Sequence, residues 1–519
     1  MKKVSLALFS IIAVLVFAGG CFAASGEFKD TIVFSPNTDI LTLDPQFQND
    51  TTSEQVVKML YNTPLKFEDD GNIVGDLAEK WGVSPDGLTW TIKFKEGVKF
   101  HSGKEMTAED VKATYRRAME ASSGGLRTTE IIRMFKTVEI LDKYTVAITT
   151  DNPYGPMEAL LCNLSLGIMD ADSIEKHGLD LGYHVEAENG TGPYRIVSWV
   201  KDDEIVLERF DDYFGGPSPT KNVVIRPIPE AAARVIALEN GEVDVIGGIN
   251  AGDLPVLESN PDIKLLKVPT ISQRLFRFGC NDKIIGNAKV RQAIVHAIDR
   301  QIIIDSMFAG TAYPSTAPLA SVTWGYADLG EIKQDQDKAR ALLKEAGYPD
   351  GFETKIVTTE RYAKGVQLAE VLASQLAEVG IKAKIDVWEW SALSASWKGS
   401  TPGEFDQPIF IMGAGPSMRD ADGGLRGLYT TTQSGLNDRN YGFYSNAEVD
   451  ELLFGGMSET NKEKRAEMYR RAEEILYLED PVAIWLFDIY GMCAMSAKVE
   501  NITLSPINNL TFERATIRK

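Results

Sequence analysis

"DLAEKWGVSPDGLTWTIKFKEGVKFHSGKEMTAEDV", Asp76–Val111, changes its hydrophobic period partway along. In "TWTIKF" (Thr89–Phe94), Trp90, Ile92 and Phe94 share one face at period two, the pattern of a half-buried strand. "TAEDVKATYRRAME" then opens on Thr107 and carries Asp110 three residues later, a capping-box-like helix start. Between them, "GVKFHSGKE" invites a phosphate-loop reading. That reading fails, because the gap from Gly97 to Gly103 is one residue too long and Glu105 stands where Ser or Thr is needed.

The same exchange of strand and helix patterns runs outward in both directions. "YTVAIT", "YRIVSWV", "EIVLERF", "VVIRPI" and "IKLLKV" are strand candidates. A helix is expected from about Glu230, stopped at Gly241. Asn287–Phe308 is expected as one long amphipathic helix, with Val290, Ala293, Ile294, Ala297 and Ile298 at three- and four-residue steps. "YSNAEVDELL" starts another, capped by Ser445 or Asn446. Such alternation predicts α/β layers. The 519 residues exceed what one core usually serves, so two or three domains are expected. No Pro/Ser-rich linker separates them, which implies tightly joined cores with a groove between.

Apolar residues make up 44% and charged residues 25%, ordinary for a globular protein. The formal charge of −20 opposes binding to nucleic acid or anionic membranes, and no basic run offsets it. "MKKVSLALFSIIAVLVFAGGCFAASGEF" (Met1–Phe28) has the layout of an export signal: Lys2 and Lys3, an apolar run to Ala18, then small residues. Residues 1–23 are read as that signal peptide, cut before Ala24 to give a periplasmic protein. Alternatively, "AGGC" serves as a lipobox that anchors Cys21 on the outer face of the membrane. Of the remaining cysteines, Cys162, Cys280 and Cys493 are odd in number and far apart, which predicts buried free thiols.

Chemistry-bearing motifs are largely missing. HExxH and GxSxG do not occur, and the four histidines (His101, His177, His184 and His296) have no metal-like spacing. "GAGPSMRDADGG" (Gly413–Gly424) starts like a dinucleotide loop but fails at Met418, and Pro416 disrupts the helix start. Its glycines allow close backbone approach, and Arg419, Asp420 and Asp422 give it charge, so it reads as a pocket wall. Neither a cofactor nor a metal is implied.

The ordered set of stretches resembles one family. "LTLDPQFQNDTTSEQVV" (Leu41–Val57), the Asp76–Val111 stretch, "GTGPYRIVSW", "KVRQAIVHAIDR", "KARALLKEAGYPDGF" and "YSNAEVDELL" follow the order of the dipeptide/oligopeptide solute-binding proteins that serve ABC importers, family 5. The resemblance covers nearly the whole mature chain. It implies a two-lobed α/β periplasmic-binding-protein fold (type II, the cluster with an extra subdomain), with the ligand cleft between lobes. Residues 28–47, 186–268 and 480–519 would form the core of lobe 1, 48–185 its extension, and 269–479 lobe 2. The hinge would cross near "VPTIS" and "LEDPV". The implied function is non-enzymatic: a monomer captures a solute by closing its cleft and hands it to a membrane permease.

For the solute, the resemblance implies a short peptide or a glutathione-like compound. Peptide-binding members carry Trp and Asp in the loop that here places Ala414 and Ser417 at those positions. Serine followed by acid-Ala-Asp is closer to the glutathione-binding branch, as are Asn49, Asp50 and Thr51 near the N-terminus and Gln273–Arg274 after the first hinge. By the same resemblance, Arg274 and Arg361 would hold carboxylates, Arg419 would add positive charge, Asp420 and Asp422 would line the pocket with Asp422 holding an amine, and Trp390 would be a stacking wall. Plainer readings stand beside these: surface arginines, helix caps for Asp50, Asp420 and Asp422, and core packing for Trp390. The scaffold also admits nickel chelates, haem, opines or sugars, and a secreted hydrolase or a sensor-input protein are rival classes.

Overall fold

The computed structural model describes residues 28–519 apart from 49, 121–131, 133, 400, 402, 417 and 432–438. The leader with Cys21, and the expected site residues Asn49 and Ser417, lie outside the described residues.

Two long antiparallel strands, Ile263–Phe278 and Ala483–Ser496, pair along most of their length and serve both lobes. The second, "AIWLFDIYGMCAMS", is almost entirely buried, as a near-continuous apolar run covered on both faces should be. Around this pair the main sheet spreads in two directions. On the lobe 1 side follow Val245–Gly247, Thr31–Ser35, Asn222–Ile225, Glu204–Arg209 and Tyr194–Val200. On the lobe 2 side follow Ile409–Ala414, Phe352–Thr358 and Ile381–Val387. Side chains alternate along the crossing strands. Thus Phe276, Phe278, Ile484 and Leu486 enter one lobe 2 core, while Leu275 and Trp485 enter another on the opposite face.

The register between the crossing strands shifts twice near its middle, between Pro269 and Gln273 and again between Arg274 and Leu275. Pro269 pairs with Tyr490 and Gln273 with Asp488, so three residues, 270–272, oppose only Ile489. Pro269 has no N–H to donate, which suits a break rather than a regular ladder. The bulge is pinned locally: Thr270 Oγ1 donates to the Ile489 carbonyl at 2.6 Å and accepts from Ser272 N–H at 3.2 Å. It lies within "VPTIS". The second crossover falls at 488–490, beyond the "LEDPV" expected from sequence, because residues 483–488 still pair on the lobe 2 side. Residues 483–487 thus pair with 274–277, the stretch that also pairs with strand Ile409–Ala414.

Local expectations held where a cap was legible. Asp110 Oδ2 accepts from Thr107 N–H at 2.9 Å at the start of helix Ala108–Glu120, and Asn446 caps Ala447–Ser458. The expected long helix at 287–308 is instead two helices, Ala288–Ala297 and Arg300–Met307. Ile298 is extended, and Asp299 caps the second helix by accepting from Ile302 N–H. Cys162, Cys280 and Cys493 are free thiols.

Within residues 48–185, a four-stranded antiparallel sheet has the order Ala78–Val83, Thr89–Phe94, Thr145–Thr150, Phe135–Asp142, and helix Ala108–Glu120 packs on it. This extension meets lobe 2 at a close seam. Gly155 N–H donates to the Met457 carbonyl at 2.8 Å, Lys462 pairs with Glu158 at 2.8 Å, and Met418 and Met457 enter the extension's core. A Cβ on Gly155 would lie 2.2 Å from the Glu459 carbonyl oxygen, so only glycine allows this approach. Gly155→Val is therefore expected to hold the seam open. Small-angle scattering should give a larger radius of gyration than wild type, with unchanged far-ultraviolet circular dichroism.

Candidate functional site

Gln273 and Arg274 lie between the two register shifts. Strand alternation sends their side chains to opposite faces. Arg274 lies with its guanidinium carbon 3.9 Å from the centre of the Tyr362 ring. Its Nη1 is buried and has no hydrogen-bond partner, and burial pulls its pKa down to about 10. Gly413 sits opposite Arg274 in the ladder, and a Cβ there would come within 2.9 Å of Nη1. The glycine leaves room for the guanidinium. At Gly415 a Cβ would be 2.9 Å from the Ile271 carbonyl oxygen, so the loop rests on the hinge.

The contacts continue outward. Tyr362 meets Trp390 edge-on at 5.8 Å, and Arg361 lies over Trp390 at 4.5 Å. Trp390 also meets Trp397 edge-on at 5.5 Å. Arg274, Tyr362, Trp390 and Arg361 thus form a ladder of cations on rings. Neither arginine has an ion-pair partner among the described residues. A desolvated guanidinium with free donors is suited to a carboxylate, which can accept two parallel hydrogen bonds from it.

The other expected residues belong to different contacts. Arg419 adopts a left-handed backbone (φ 50°) and reaches across the seam, 4.6 Å over the Phe67 ring. Its Nε is buried without a partner, and burial lowers its pKa. Asp420 caps helix Ala421–Tyr429 by accepting from Asp422 N–H at 3.0 Å, and it pairs with Arg465 at 2.9 Å. Asp422 is gripped by Arg426 at 2.6 and 2.8 Å. The amine-holding role expected of Asp422 is corrected here: both its oxygens are taken by an arginine one helical turn away. Asp50 caps helix Thr51–Leu60, accepting from Ser53 N–H at 2.9 Å, while Oδ2 is buried without a partner; Thr51 is exposed.

Asp488 escaped the sequence reading. It lies in the second crossing strand, 3% exposed, where Oδ1 accepts from Gln273 Nε2 at 2.8 Å and Ser315 Oγ at 2.5 Å. No cation pairs with it among the described residues, and burial raises its pKa to about 7. Its signal was available as the one acid in "AIWLFDIYG", a charge inside an otherwise apolar strand. Among the described residues, no group of three or more His, Cys, Asp or Glu is placed to hold a metal ion.

Comparison with known proteins adds independent findings. Residues 72–435 match the model for "Bacterial extracellular solute-binding proteins, family 5 Middle". The glutathione-binding protein GsiB of Salmonella typhi is 29% identical over 511 residues, 98% of either chain. Among solved structures, HbpA2 from Haemophilus parasuis superposes with a TM-score of 0.85 at 25% identity, covering 94% of this chain and 100% of that one. The periplasmic binding protein DppA from Helicobacter pylori, in complex with the peptide STSA, does so at 0.77 and 28% identity, covering 95% and 99%.

Unfolding measurements separate paired buried charges from unpaired ones. Arg465→Met strands the buried Asp420 carboxylate and should cost about 3–5 kcal/mol in urea unfolding. Arg274→Met removes an unpaired, desolvated charge and should leave stability unchanged or raised in the same assay. For Asp488, a raised folded-state pKa means that the protonated form folds better. Its contribution is intact below pH 4 and declines as pH rises toward 7, by about 4 kcal/mol at most. Asp488→Asn should therefore gain on wild type as urea unfolding of the ligand-free protein is moved from pH 4.5 to pH 8.

Proposed function

The chain belongs to the family 5 bacterial extracellular solute-binding proteins, and we propose that its cleft captures a short peptide or a glutathione-like solute for import. It is a carrier, not a catalyst, and it works outside the cytoplasm. No helix among the described residues is long and apolar enough to cross a membrane. Capture follows from the fold: the lobes swing about the bulge at 269–273 and 488–490 and shut over the solute. Water then leaves the cleft, and each charge-assisted hydrogen bond to the solute strengthens. The closed form is what a membrane permease receives. Transport energy comes from a separate ATPase, and the phosphate-loop pattern fails in this chain.

The observation that carries this reading is the ladder of Arg274, Tyr362, Trp390 and Arg361, two cations on rings without a carboxylate. A protein with formal charge −20 has acids to spare, so the absence of an ion-pair partner for the buried Arg274 among the described residues points to one that arrives from solution. A peptide carboxylate fits the fork of Arg274, and the rings supply flat walls for side chains. Arg419, held at the seam by Phe67, adds a cation that the shut form brings toward the extension. After export the chain functions as a soluble periplasmic monomer, released by cleavage before Ala24 and not anchored through Cys21.

Unfolding and refolding the protein strips any retained solute, and calorimetry against glutathione and a dipeptide panel then tests the reading. Saturable binding is expected, with a rise in melting temperature that grows with concentration. Arg274→Met should weaken that binding by about 10- to 100-fold, the scale of a lost charged hydrogen-bond pair. No heat and no thermal shift with any member of the panel would contradict the proposal.

A further inference from the structure

A zwitterionic solute brings an ammonium group as well as a carboxylate, and the loop acids cannot receive it. Asp420 and Asp422 already pair with Arg465 and Arg426. We propose that Asp488, with Gln273, Ser315 and the rings of Tyr313 and Tyr490 around it, forms the ammonium subsite of this cleft. The proposal rests on the peptide-capture reading above and names the residue that recognises the amine.

Three observations support it. The first is that Asp488 lacks a counter-ion. Both of its hydrogen-bond donors, Gln273 Nε2 and Ser315 Oγ, are neutral and both act on Oδ1, which leaves Oδ2 unpartnered among the described residues. An acid kept only for structure in an apolar strand would be expected to pair with a cation, as Asp422 and Asp420 do.

The second is the aromatic surround. Tyr313 lies directly opposite Asp488 in the strand ladder, and Tyr490 follows on the same face two residues along. The two rings are 4.6 Å apart between centres, and the Lys267 ammonium sits 4.2 Å over Tyr490. A carboxylate beside ring faces is a setting that binds ammonium ions, and one such ring here already carries one. The charged and titratable groups facing this place are Tyr313, raised to about 12 by burial, Tyr326 and Tyr477, also raised by burial, Tyr490 and Lys267. None of them neutralises Asp488.

The third is position. Asp488 pairs with Gln273 at the edge of the bulge, so it sits at the pivot between the lobes. Gln273 joins it to Arg274, the next residue, and so ties the anionic anchor to the cationic one through a single strand. Gln273 also donates to the Ala317 carbonyl at 3.3 Å, and Tyr477 holds the Ser315 carbonyl at 3.0 Å. These contacts fix the carboxyl in place before a solute arrives, which lowers the ordering cost of binding.

Calorimetry of refolded wild type and Asp488→Asn against glutathione, dialanine and their N-acetylated forms tests the subsite. N-acetylation removes the ammonium and keeps the carboxylates. In wild type it is expected to weaken binding by at least about 10-fold. Asp488→Asn should weaken the free-amine probes by a similar factor and leave the acetylated probes unchanged, so the two losses do not add. If the substitution weakens both forms equally, or neither, Asp488 is a hinge hydrogen bond and the subsite is overturned, while peptide capture stands. If wild type binds neither free-amine probe, the peptide reading falls and the subsite with it. Asparagine keeps an acceptor for Gln273 and Ser315. Should it still fail to fold, equal affinity of wild type for the free and acetylated probes is enough to overturn the proposal.

Discussion

Two antiparallel strands run through both lobes, and their shared ladder is interrupted where 270–272 oppose Ile489 and shifts register again between Arg274 and Leu275. On one side the strands are part of the lobe 1 sheet beside Val245–Gly247; on the other they pair with Ile409–Ala414. A regular ladder would make the two sheets one stiff body. Pairing continues on either side of the break, and Thr270 satisfies local backbone groups with its own hydroxyl. Gln273, Arg274 and Asp488 adjoin the break and are thereby held by strands.

The second constraint is electrostatic. Burying a charge without a partner is costly, and most arginines here avoid it. Arg465 and Arg426 grip carboxylates, and Arg277 donates to the Leu428 and Arg439 carbonyls. Arg274 and Asp488 depart from this pattern in opposite senses, one pushed toward neutrality from the cationic side and the other from the anionic side. Because the two side chains leave the strands on different faces, they do not cancel each other. Under the proposed reading, a solute with separated charges would satisfy both and would gain from the same exclusion of water that makes them costly when unpaired.

Much of this was legible in the chain itself, and the limits have physical causes. The order of stretches along the whole chain pointed to the family, and the family match bears that out. Caps such as Thr107 with Asp110 are local devices and read directly. Arg274 and Arg361 could be singled out, but the ring between them, Tyr362, could not, because its part depends on a loop after Phe352–Thr358 folding back on the crossing strand. The grip of Arg426 on Asp422 obeys a four-residue helical spacing and was within reach of sequence; that of Arg465 on Asp420 joins residues 45 apart and was not. Asp299 shows how a cap inside an amphipathic run divides what periodicity alone joins. Asp488 was hidden because a lone acid acquires meaning only when it is known to lack an ion-pair partner among the described residues.

The central claim is that the unpaired charges at the pivot await a small solute that leaves unaltered. Native mass spectrometry of the protein as purified, followed by denaturation and identification of the released compound, tests it most directly. The account predicts an intact molecule carrying at least one carboxylate and one amine, in equimolar ratio with the chain. A metal chelate, a haem, a neutral sugar or a chemically cleaved product in that position would contradict it.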